Sequence, residues 1–223
     1  MVIQQDKKEK GGSAMVKIFV IATTGKRNKQ LRKTVKSIID QVDQVLVYDN
    51  SKNQDLTDNA KFLYVDAFNQ PVYYFTGDDD ILYPKGYIKR TIEEIEKNEC
   101  IISWHGRQLN PNIETYYGHG HGEMRYFQVN RDHIQLDVGG TGVMGFRTDY
   151  FKPDVAFSEY KRMSDLVVSL EAMKQGKKII SPPKNHNWIK GQEVKSSIFA
   201  TESKGKQETQ IKLMKELIDL KYG

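Results

Sequence analysis

Three consecutive carboxylates, Asp78, Asp79 and Asp80, are the clearest chemical feature of this sequence of 223 residues. They follow an aromatic and β-branched run at 71–75, which Gly77 ends. Adjacent carboxylates repel one another unless water or a cation separates them, and a set of oxygen ligands suits a hard divalent ion such as Mg²⁺ or Mn²⁺. The alternative is a solvated acidic turn, or a helix start with its acids near the dipole.

Two segments that contain histidine could add ligands to such a site. His186, in the sequence KNHNW, could reach it as a third metal or phosphate ligand, or it could be a hydrogen-bonded surface histidine. Residues 118–122, GHGHG, resemble a metal-binding tract but lack a second ligand pair at zinc spacing. We predict a flexible loop there, which either orders over a bound substrate or is mobile surface.

The basic side chains concentrate in one run that contains no acidic residue. It comprises Lys26, Arg27, Lys29, Arg32, Lys33 and Lys36. The run could steer an anion such as phosphate, or it could be the solvated face of a helix. Nucleic-acid binding would require a broader basic stripe with interleaved aromatic residues, and the net charge of +5 is modest. We therefore expect no nucleic-acid partner.

Hydrophobic patterning predicts the elements that must position these residues. Apolar runs at 16–22 and 44–48 are typical of buried parallel strands, and apolar residues at helical spacing between them predict an amphipathic helix. Further strands are predicted at 62–65, 71–75, 100–104, 143–147 and 178–181, and further helices near 88–95, over 165–174 and over 209–220. Residues 105–137 show no regular pattern. This order predicts an α/β fold with a mixed, mostly parallel central sheet flanked by helices.

The predicted sheet brings the candidate residues to one edge. In open α/β sheets, ligands bind outside the carboxyl ends of the strands, so the loops at 23–27, 49–51 and 78–80 should converge on one crevice. The glycines of the segment GGTG at 139–142, which contains Gly140 and Thr141, permit close approach of the backbone to a ligand, although a tight turn would need the same residues. Asp165 opens a predicted helix, where it could cap the helix N-terminus.

Composition and length limit the class of protein. With 38% hydrophobic residues the chain is too apolar to be disordered, and no apolar stretch is long enough for a transmembrane segment. The single cysteine, Cys100, cannot close an intrachain disulfide, and no secretory leader is recognisable, so we expect a reducing, cytoplasmic location. Residues 1–14 are polar, rich in lysine and end in GGSA, which predicts a flexible leader or tag before one domain at 15–223.

Five segments in order resemble the GT-A nucleotide-sugar glycosyltransferases of the family 2 kind. They cover most of residues 16–180 and read VKIFVIATTGKRNKQLRKTVKSI, QVLVYDNS, YYFTGDDDILYPKGYI, GGTGVMGFR and MSDLVVSLEAMKQGKKI. The resemblance implies a single GT-A (Rossmann-like) domain that moves a sugar from a nucleotide-sugar donor, a UDP-sugar, to a hydroxyl of a glycan or glycoprotein acceptor. It also implies Mn²⁺ or Mg²⁺ as the cofactor, held on the donor diphosphate by an Asp-x-Asp motif.

The resemblance implies a role for each matching position of this sequence. Those roles are nucleoside contacts from Thr23, Arg27 and Asp49, sugar contacts from the loop with Gly140 and Thr141, and general-base catalysis of an inverting transfer by Asp165. Asp78 and Asp80 would contact the metal. Because Gly77 stands where the family often has an aspartate, Asp79 could be a ligand instead.

The leading hypothesis is thus a metal-dependent glycosyltransferase. A sugar-phosphate nucleotidyltransferase shares this layout. Such an enzyme needs a glycine-rich loop between the first strand and helix, and the segment ATTGKRNK matches that loop poorly. A noncatalytic nucleotide-binding module, whose aspartates only end a strand, is the alternative from another class.

Overall fold

The computed structural model describes residues 15–112, 114–117, 120–194 and 207–223, and the backbone of residues 2–4. The helices are α1 (Asn28–Ile38), α2 (Tyr87–Asn98), α3 (Ser164–Lys174) and α4 (Glu208–Tyr222), with 3-10 helices at Ile39–Gln41 and Thr57–Phe62. The strands are β1 (Val2–Gln4), β2 (Lys17–Thr23), β3 (Gln44–Asp49), β4 (Tyr73–Asp78), β5 (Ile81–Leu82), β6 (Ile101–Ser103), β7 (Gly106–Gln108), β8 (Gly122–Met124), β9 (Ile134–Leu136), β10 (Val138–Gly139), β11 (Val143–Arg147), β12 (Ile179–Ser181) and β13 (Lys190–Gly191).

The central sheet has the order β1-β3-β2-β4-β11-β6-β12-β9. Strands β2, β3, β4, β6 and β12 run in one direction, and β1, β9 and β11 run in the other. Two small sheets, β10-β7-β8 and β13-β5, lie outside it. The predicted α/β fold with a mixed, mostly parallel sheet is confirmed.

Both faces of the sheet are buried, which explains the nearly continuous apolar sequence of β2. Ile18 and Val20 belong to the cluster that includes the apolar residues of α3 and α4. Phe19 and Ile21 belong to the opposite cluster, which includes residues of α1 and α2. Alternate side chains of a strand point to opposite faces, so helices on both faces require apolar residues at every position.

The segment predicted as a strand at 62–65 is not one. The 3-10 helix Thr57–Phe62 is followed by turns, and Phe62 and Val65 are both buried in the same cluster. A spacing of three residues brings both side chains to one side of a tight helical turn, whereas a strand would have placed them on opposite faces. A short apolar run can be helical or extended, because periodicity does not distinguish the two over four residues.

Residues 105–137 are more regular than expected, because they contain β7, β8 and β9. His121 is buried; its Nδ1 accepts from the Asn110 N–H at 3.0 Å, and its Nε2 lies 3.0 Å from the Thr115 carbonyl oxygen. The prediction of a flexible loop is therefore wrong at His121 and Gly122. Gly118 and His119 lie outside the described residues.

The expectation that the leader lies outside the fold is wrong for β1. Val2, Ile3 and Gln4 pair antiparallel with Leu46, Val45 and Gln44 of β3. The open edge of β3 offers backbone hydrogen-bonding groups that an extended segment can satisfy. Residues 1 and 5–14 lie outside the described residues. Among the described helices, none has both the length and the apolar character needed to cross a membrane.

Candidate functional site

The loops that follow β2, β3 and β4 meet at one edge of the sheet, as the strand order predicts. The Asn50 N–H donates to the Thr23 carbonyl oxygen at 2.8 Å, which joins the first two loops. The Thr23 hydroxyl donates to Asp79 Oδ2 at 2.6 Å, which joins the first loop to the aspartates. Because these strands are parallel neighbours, their carboxyl ends lie side by side.

Asp79 has both carboxylate oxygens occupied by protein groups. Oδ2 accepts from Thr23, and Oδ1 accepts from Arg27 Nη1 at 3.0 Å. Its side chain is only 6% exposed. Asp79 therefore holds the loops together, and of the three aspartates it is the least available to a ligand.

Asp78 and Asp80 are the more open carboxylates. Asp78 Oδ1 accepts from Lys61 at 2.6 Å, and Asp80 Oδ2 accepts from Arg27 at 2.9 Å. The second oxygen of each has no hydrogen-bond partner among the residues that the structure describes. The side chains are 43% and 20% exposed. Each thus presents one carboxylate oxygen that a ligand could take, at the Asp-x-Asp spacing.

The aspartate cluster retains more negative charge than its cations neutralise. Burial, and then repulsion from Asp78, raise the pKa of Asp80 to about 6, although the Arg27 guanidinium acts in the opposite direction. A carboxyl group with a raised pKa is destabilised in its ionised form. An additional cation beside Asp78 and Asp80 would relieve this repulsion.

Lys61 is the site residue that the sequence reasoning missed. It lies in the 3-10 helix Thr57–Phe62, and its side chain is 4% exposed. Nζ donates to Asp78 Oδ1 at 2.6 Å and to Thr141 Oγ1 at 2.9 Å. Burial alone would lower the pKa of this lysine, but attraction to Asp78, Asp58 and Asp165 outweighs burial and raises it. Lys61 is a fixed cation between these carboxylates.

Asp165 lies in the first turn of α3 and faces the loop before β11. Its Oδ1 accepts from the backbone N–H of Thr141 at 2.7 Å and from the Thr141 hydroxyl at 2.6 Å. The N-cap residue of α3, Met163, makes no side-chain cap, and both hydrogen bonds to Asp165 Oδ1 come from Thr141, so the geometry does not support the capping alternative for Asp165. Lys61 and Thr141 together connect Asp78 to Asp165 by hydrogen bonds.

The start of α3 is fixed from the opposite side by Asp58. Asp58 Oδ2 accepts from the Ser164 N–H at 3.1 Å and from the Ser164 hydroxyl at 2.5 Å. Asp58 and Lys61 belong to the same 3-10 helix. This helix therefore positions both α3 and the aspartate strand.

The glycines of the loop before β11 are required by protein neighbours. A β-carbon at Gly142 would lie 2.2 Å from Asp78 Oδ2, and one at Gly140 would lie 2.5 Å from the His105 ring. The close approach predicted for these glycines is thus made to Asp78 and His105, whereas contact of Gly140 and Thr141 with a sugar stays a prediction.

The residues assigned to nucleoside contact lie at the same edge. Asp49 Oδ1 accepts from the Ser51 N–H at 3.0 Å and from the Ser51 hydroxyl at 2.6 Å, and this bonding lowers the pKa of Asp49. A β-carbon at Gly25, whose φ is +74°, would lie 2.6 Å from Ser51 Oγ. Thr23 and Arg27 bind the aspartates, so in this structure their polar groups are directed to the protein.

His186 and most of the basic run have exposed side chains. His186 is exposed, and none of the side-chain hydrogen bonds of the three aspartates in the described part of the chain involves it. Of the basic run, Arg27 is half-buried and paired with Asp79 and Asp80, whereas the other five side chains are exposed. The solvated-face alternative fits those five.

The two open carboxylate oxygens suit a divalent cation whose remaining ligands come from a substrate and water. Within the described ranges, no group of three or more His, Cys, Asp or Glu side chains could hold a metal ion. Mg²⁺, however, is commonly bound by one or two carboxylates together with substrate phosphates and water. Asp78 and Asp80 supply two such oxygens beside an excess of negative charge.

The chain has a distant structural likeness among solved proteins. No family model and no curated protein matches it. A solved structure, the crystal structure of A197 from STIV, is similar with 10% identity and a TM-score of 0.45, covering 74% of this chain and 81% of that one.

Proposed function

We propose that this protein is a glycosyltransferase that moves a sugar from a UDP-sugar to an acceptor hydroxyl, with inversion. The observation that carries the proposal is the connection of two carboxylate centres through Lys61 and Thr141. One centre, Asp78 with Asp80, has open oxygens for a metal-bound diphosphate. The other, Asp165, has one oxygen held by Thr141, which leaves the second for a substrate proton.

The proposed reaction requires one base. The acceptor oxygen attacks the anomeric carbon, the bond between that carbon and the diphosphate oxygen breaks, and the hydroxyl proton passes to Asp165. UDP leaves with the bonding electron pair. Such proton transfer contributes roughly 10²- to 10⁴-fold to a rate. The hydrogen bonds from Thr141 fix the orientation of the Asp165 carboxylate before the substrate binds.

Asp78 and Asp80 would hold Mn²⁺ or Mg²⁺. When bound, such an ion stabilises negative charge on the departing diphosphate. Asp79 has both oxygens engaged and would instead keep Thr23 and Arg27 in position. His186 is not required by this proposal.

Titration calorimetry with UDP and Mn²⁺ tests the donor half of the proposal. We expect Asp78→Asn and Asp80→Asn each to weaken metal-dependent UDP binding by about tenfold or more, because each removes a charged ligand. Asp66→Asn is the matched control, since its side chain is 77% exposed. Unchanged metal-dependent UDP affinity in both site variants would refute the metal assignment.

Asp165→Asn tests the catalytic half. The amide oxygen can still accept from the Thr141 N–H, so we expect unchanged UDP affinity and melting temperature. Hydrolysis of a UDP-sugar in the absence of acceptor should fall by roughly 10²-fold. Wild-type hydrolysis in the variant would exclude Asp165 as the base. UDP binding without any turnover would indicate a binding module, and pyrophosphate release from a nucleoside triphosphate would indicate a nucleotidyltransferase.

A further inference from the structure

Lys184 and Ser181 are two buried polar side chains that the proposed reaction does not use. Lys184 is 3% exposed, and Ser181 is fully buried. Neither the Lys184 ammonium group nor the Ser181 hydroxyl has a hydrogen-bond partner among the residues that the structure describes. A buried charge or hydroxyl without a partner is unfavourable, because it loses its hydration and gains no hydrogen bond in return. The segment 181–184 therefore has donors but lacks an acceptor for them.

Asn130 fixes the backbone of this segment directly after β12. The Asn130 side chain donates to the Ser181 and Pro182 carbonyl oxygens, at 3.3 and 3.2 Å. The Asn130 N–H donates to the Lys184 carbonyl oxygen at 2.9 Å, and the Lys184 N–H donates to the Asn130 carbonyl oxygen at 2.8 Å. Lys184 thus extends from a backbone that is held at both of its polar groups.

A second cation, Arg90 of α2, lies against the same segment. Arg90 Nη2 donates to the Pro183 carbonyl oxygen, next to Lys184 in the chain. The central guanidinium carbon of Arg90 lies 5.0 Å from the ring centroid of Trp104 and 4.8 Å from that of Trp188. The centroids of the two indole rings are 4.5 Å apart. The rings therefore hold the guanidinium group in place by cation–π contact.

These two cations have no anion between them. Burial, and then repulsion by the Arg90 charge, lower the pKa of Lys184 to about 8, and no carboxylate in the described ranges acts in the opposite direction. At pH 7 the lysine still keeps its proton. Glu94, one turn along α2 from Arg90, has its Oε2 2.7 Å from His133 Nε2. An anion that bound both cations would remove the repulsion between them.

The place lies at the same edge of the sheet as the aspartates, but away from them. Strands β4 and β12 run in the same direction, and β12 is three positions from β4 in the strand order. At about 4.8 Å between neighbouring strands, this is a separation of roughly 14 Å. Arg90 and Pro183 are half-buried and residues 185–187 are exposed, so the two cations lie just below the surface. The flexible four-carbon stem of the lysine allows its ammonium group to turn to a ligand that enters there.

The donors suit a phosphate group. Arg90 and Lys184 carry only donors, and the Ser181 hydroxyl can donate as well. Guanidinium and ammonium groups form strong, charge-assisted hydrogen bonds with phosphate oxygens. A metal ion would be repelled by the two positive charges, and two cations are too small a basic surface for a nucleic acid.

We propose that Arg90, Lys184 and Ser181 form an anion site that binds a phosphate group, either as free inorganic phosphate or as the phosphate monoester of a small molecule. The site is separate from the aspartates, and it does not depend on the proposed transfer of a sugar. It gives a role to a buried cation that destabilises the fold when no ligand is bound.

Intrinsic tryptophan fluorescence of the full chain tests this proposal, because both tryptophans of the sequence lie against Arg90. The chain is titrated at pH 7 with sodium phosphate and, separately, with glycerol phosphate, at an ionic strength held constant with sodium chloride. No divalent ion is added, so the negative aspartate cluster has no cation to bridge it to phosphate. We expect a saturable change in fluorescence with at least one probe. The melting temperature should rise by about 3 °C when the probe concentration is ten times its dissociation constant.

Two variants identify the site, and a third is the control. We expect Lys184→Met to weaken binding of the phosphate group by about tenfold or more, and Ser181→Ala to weaken it less, because the serine carries no charge. Lys190→Met is the matched control, since Lys190 is an exposed lysine two residues from Trp188. All three variants keep both tryptophans. UDP affinity in the presence of Mg²⁺ should be unchanged in each of them.

The outcomes separate this site from the donor site and from general attraction to surface charge. Binding that Lys184→Met loses and Lys190→Met keeps would support the site, and the probe that binds identifies the form of phosphate. Equal affinity in wild type and Lys184→Met, equal losses in Lys184→Met and Lys190→Met, or no response to either probe would overturn the proposal. Phosphate binding that depends on Lys184, with no UDP binding, would support this site while refuting the donor site. If Lys184→Met fails to fold, Lys184→Gln removes the charge and keeps a polar side chain.

Discussion

Lys61 is held in the interior because three carboxylates surround it. Its ammonium group donates to Asp78 and Thr141, and Asp58 and Asp165 act on it electrostatically. A buried ion pair is a weak source of net stability, but loss of one partner leaves the other charges uncompensated.

We expect Lys61→Met to reduce the free energy of unfolding by about 3 kcal/mol at pH 7, because Asp78 would lose its cation. Urea unfolding measures the change. Lys89→Met is the control, since that lysine is 81% exposed and its ion pair with Glu93 lies at the surface. A loss below about 1 kcal/mol in Lys61→Met would show that the ion pair is not important for folding.

Lys184 is the opposite case, a buried lysine with no anionic partner among the residues that the structure describes. It is 3% exposed, and its Nζ has no hydrogen-bond partner among the described residues. Burial, and then the charge of Arg90, lower the pKa of Lys184 to about 8 from the usual 10.5. Between pH 8 and 10.5 the unfolded chain binds more protons than the folded one, so stability rises with pH across that window.

We therefore expect Lys184→Met to be more stable than wild type at pH 7, on the order of 2 kcal/mol, because the methionine needs no proton and has no charge to desolvate. The gain should shrink as the pH approaches 10.5. Urea unfolding at pH 7 and pH 10 measures both values. A variant that is less stable at pH 7, or equally improved at both pH values, would contradict this account.

The loop between β10 and β11 supports two of the site carboxylates through its backbone. Thr141 binds Asp165, and the Thr141 carbonyl oxygen accepts from the Thr76 hydroxyl of β4 at 2.6 Å. Gly142 lies against Asp78, and its carbonyl oxygen accepts from the Tyr83 hydroxyl at 2.7 Å. A change in this loop is therefore transmitted to both carboxylate centres.

Gly142→Ala should displace the Asp78 carboxylate, because the new methyl group would lie 2.2 Å from Oδ2. We expect metal-dependent UDP affinity to fall by about tenfold, measured by calorimetry. Gly122→Ala is the control, because its β-carbon would come no closer than 3.3 Å to a neighbouring atom, the side-chain oxygen of Gln108. Equal UDP affinity in the two variants would show that Asp78 does not bind the donor.

The sequence predicted the strands of the central sheet other than β1 and β9, and the place where polar residues collect, because apolar runs and strand order determine both. It did not single out Lys61, since one lysine in a polar segment has no periodicity and its partners are distant in the chain. It also left Asp78 and Asp79 equivalent as ligands. Only the fold shows that Thr23 and Arg27 occupy both oxygens of Asp79. Strands of three residues, such as β7 and β8, are too short for alternation to be recognised.

Strand β1 covers the free edge of the central sheet. It adds three residues to β3, whose next neighbour on the other side is β2. An uncovered edge presents unpaired N–H and C=O groups that can pair with another chain.

We expect a chain that begins at Met15 to keep its melting temperature within about 3 °C, because three edge residues contribute little to the core. It should self-associate more at high concentration, since the edge of β3 becomes free. Light scattering over a concentration series, compared with the full chain, measures this. A truncated chain that melts several degrees lower, or that shows no added association, would contradict the role given to β1.

The contacts of the site span long distances in sequence, which has a consequence for folding kinetics. Thr23 and Asp79 are separated by 56 positions, Lys61 and Thr141 by 80, and Ser164 and Asp58 by 106. Contacts between residues so far apart in sequence imply slow folding, because the entropy cost of closing the intervening loops must be overcome before the contacts form. Intermediates that contain only the β2–β3 half would lack Asp165, Thr141 and their link to Lys61. During refolding, ligand binding would then be regained in the last step, after the secondary structure has formed.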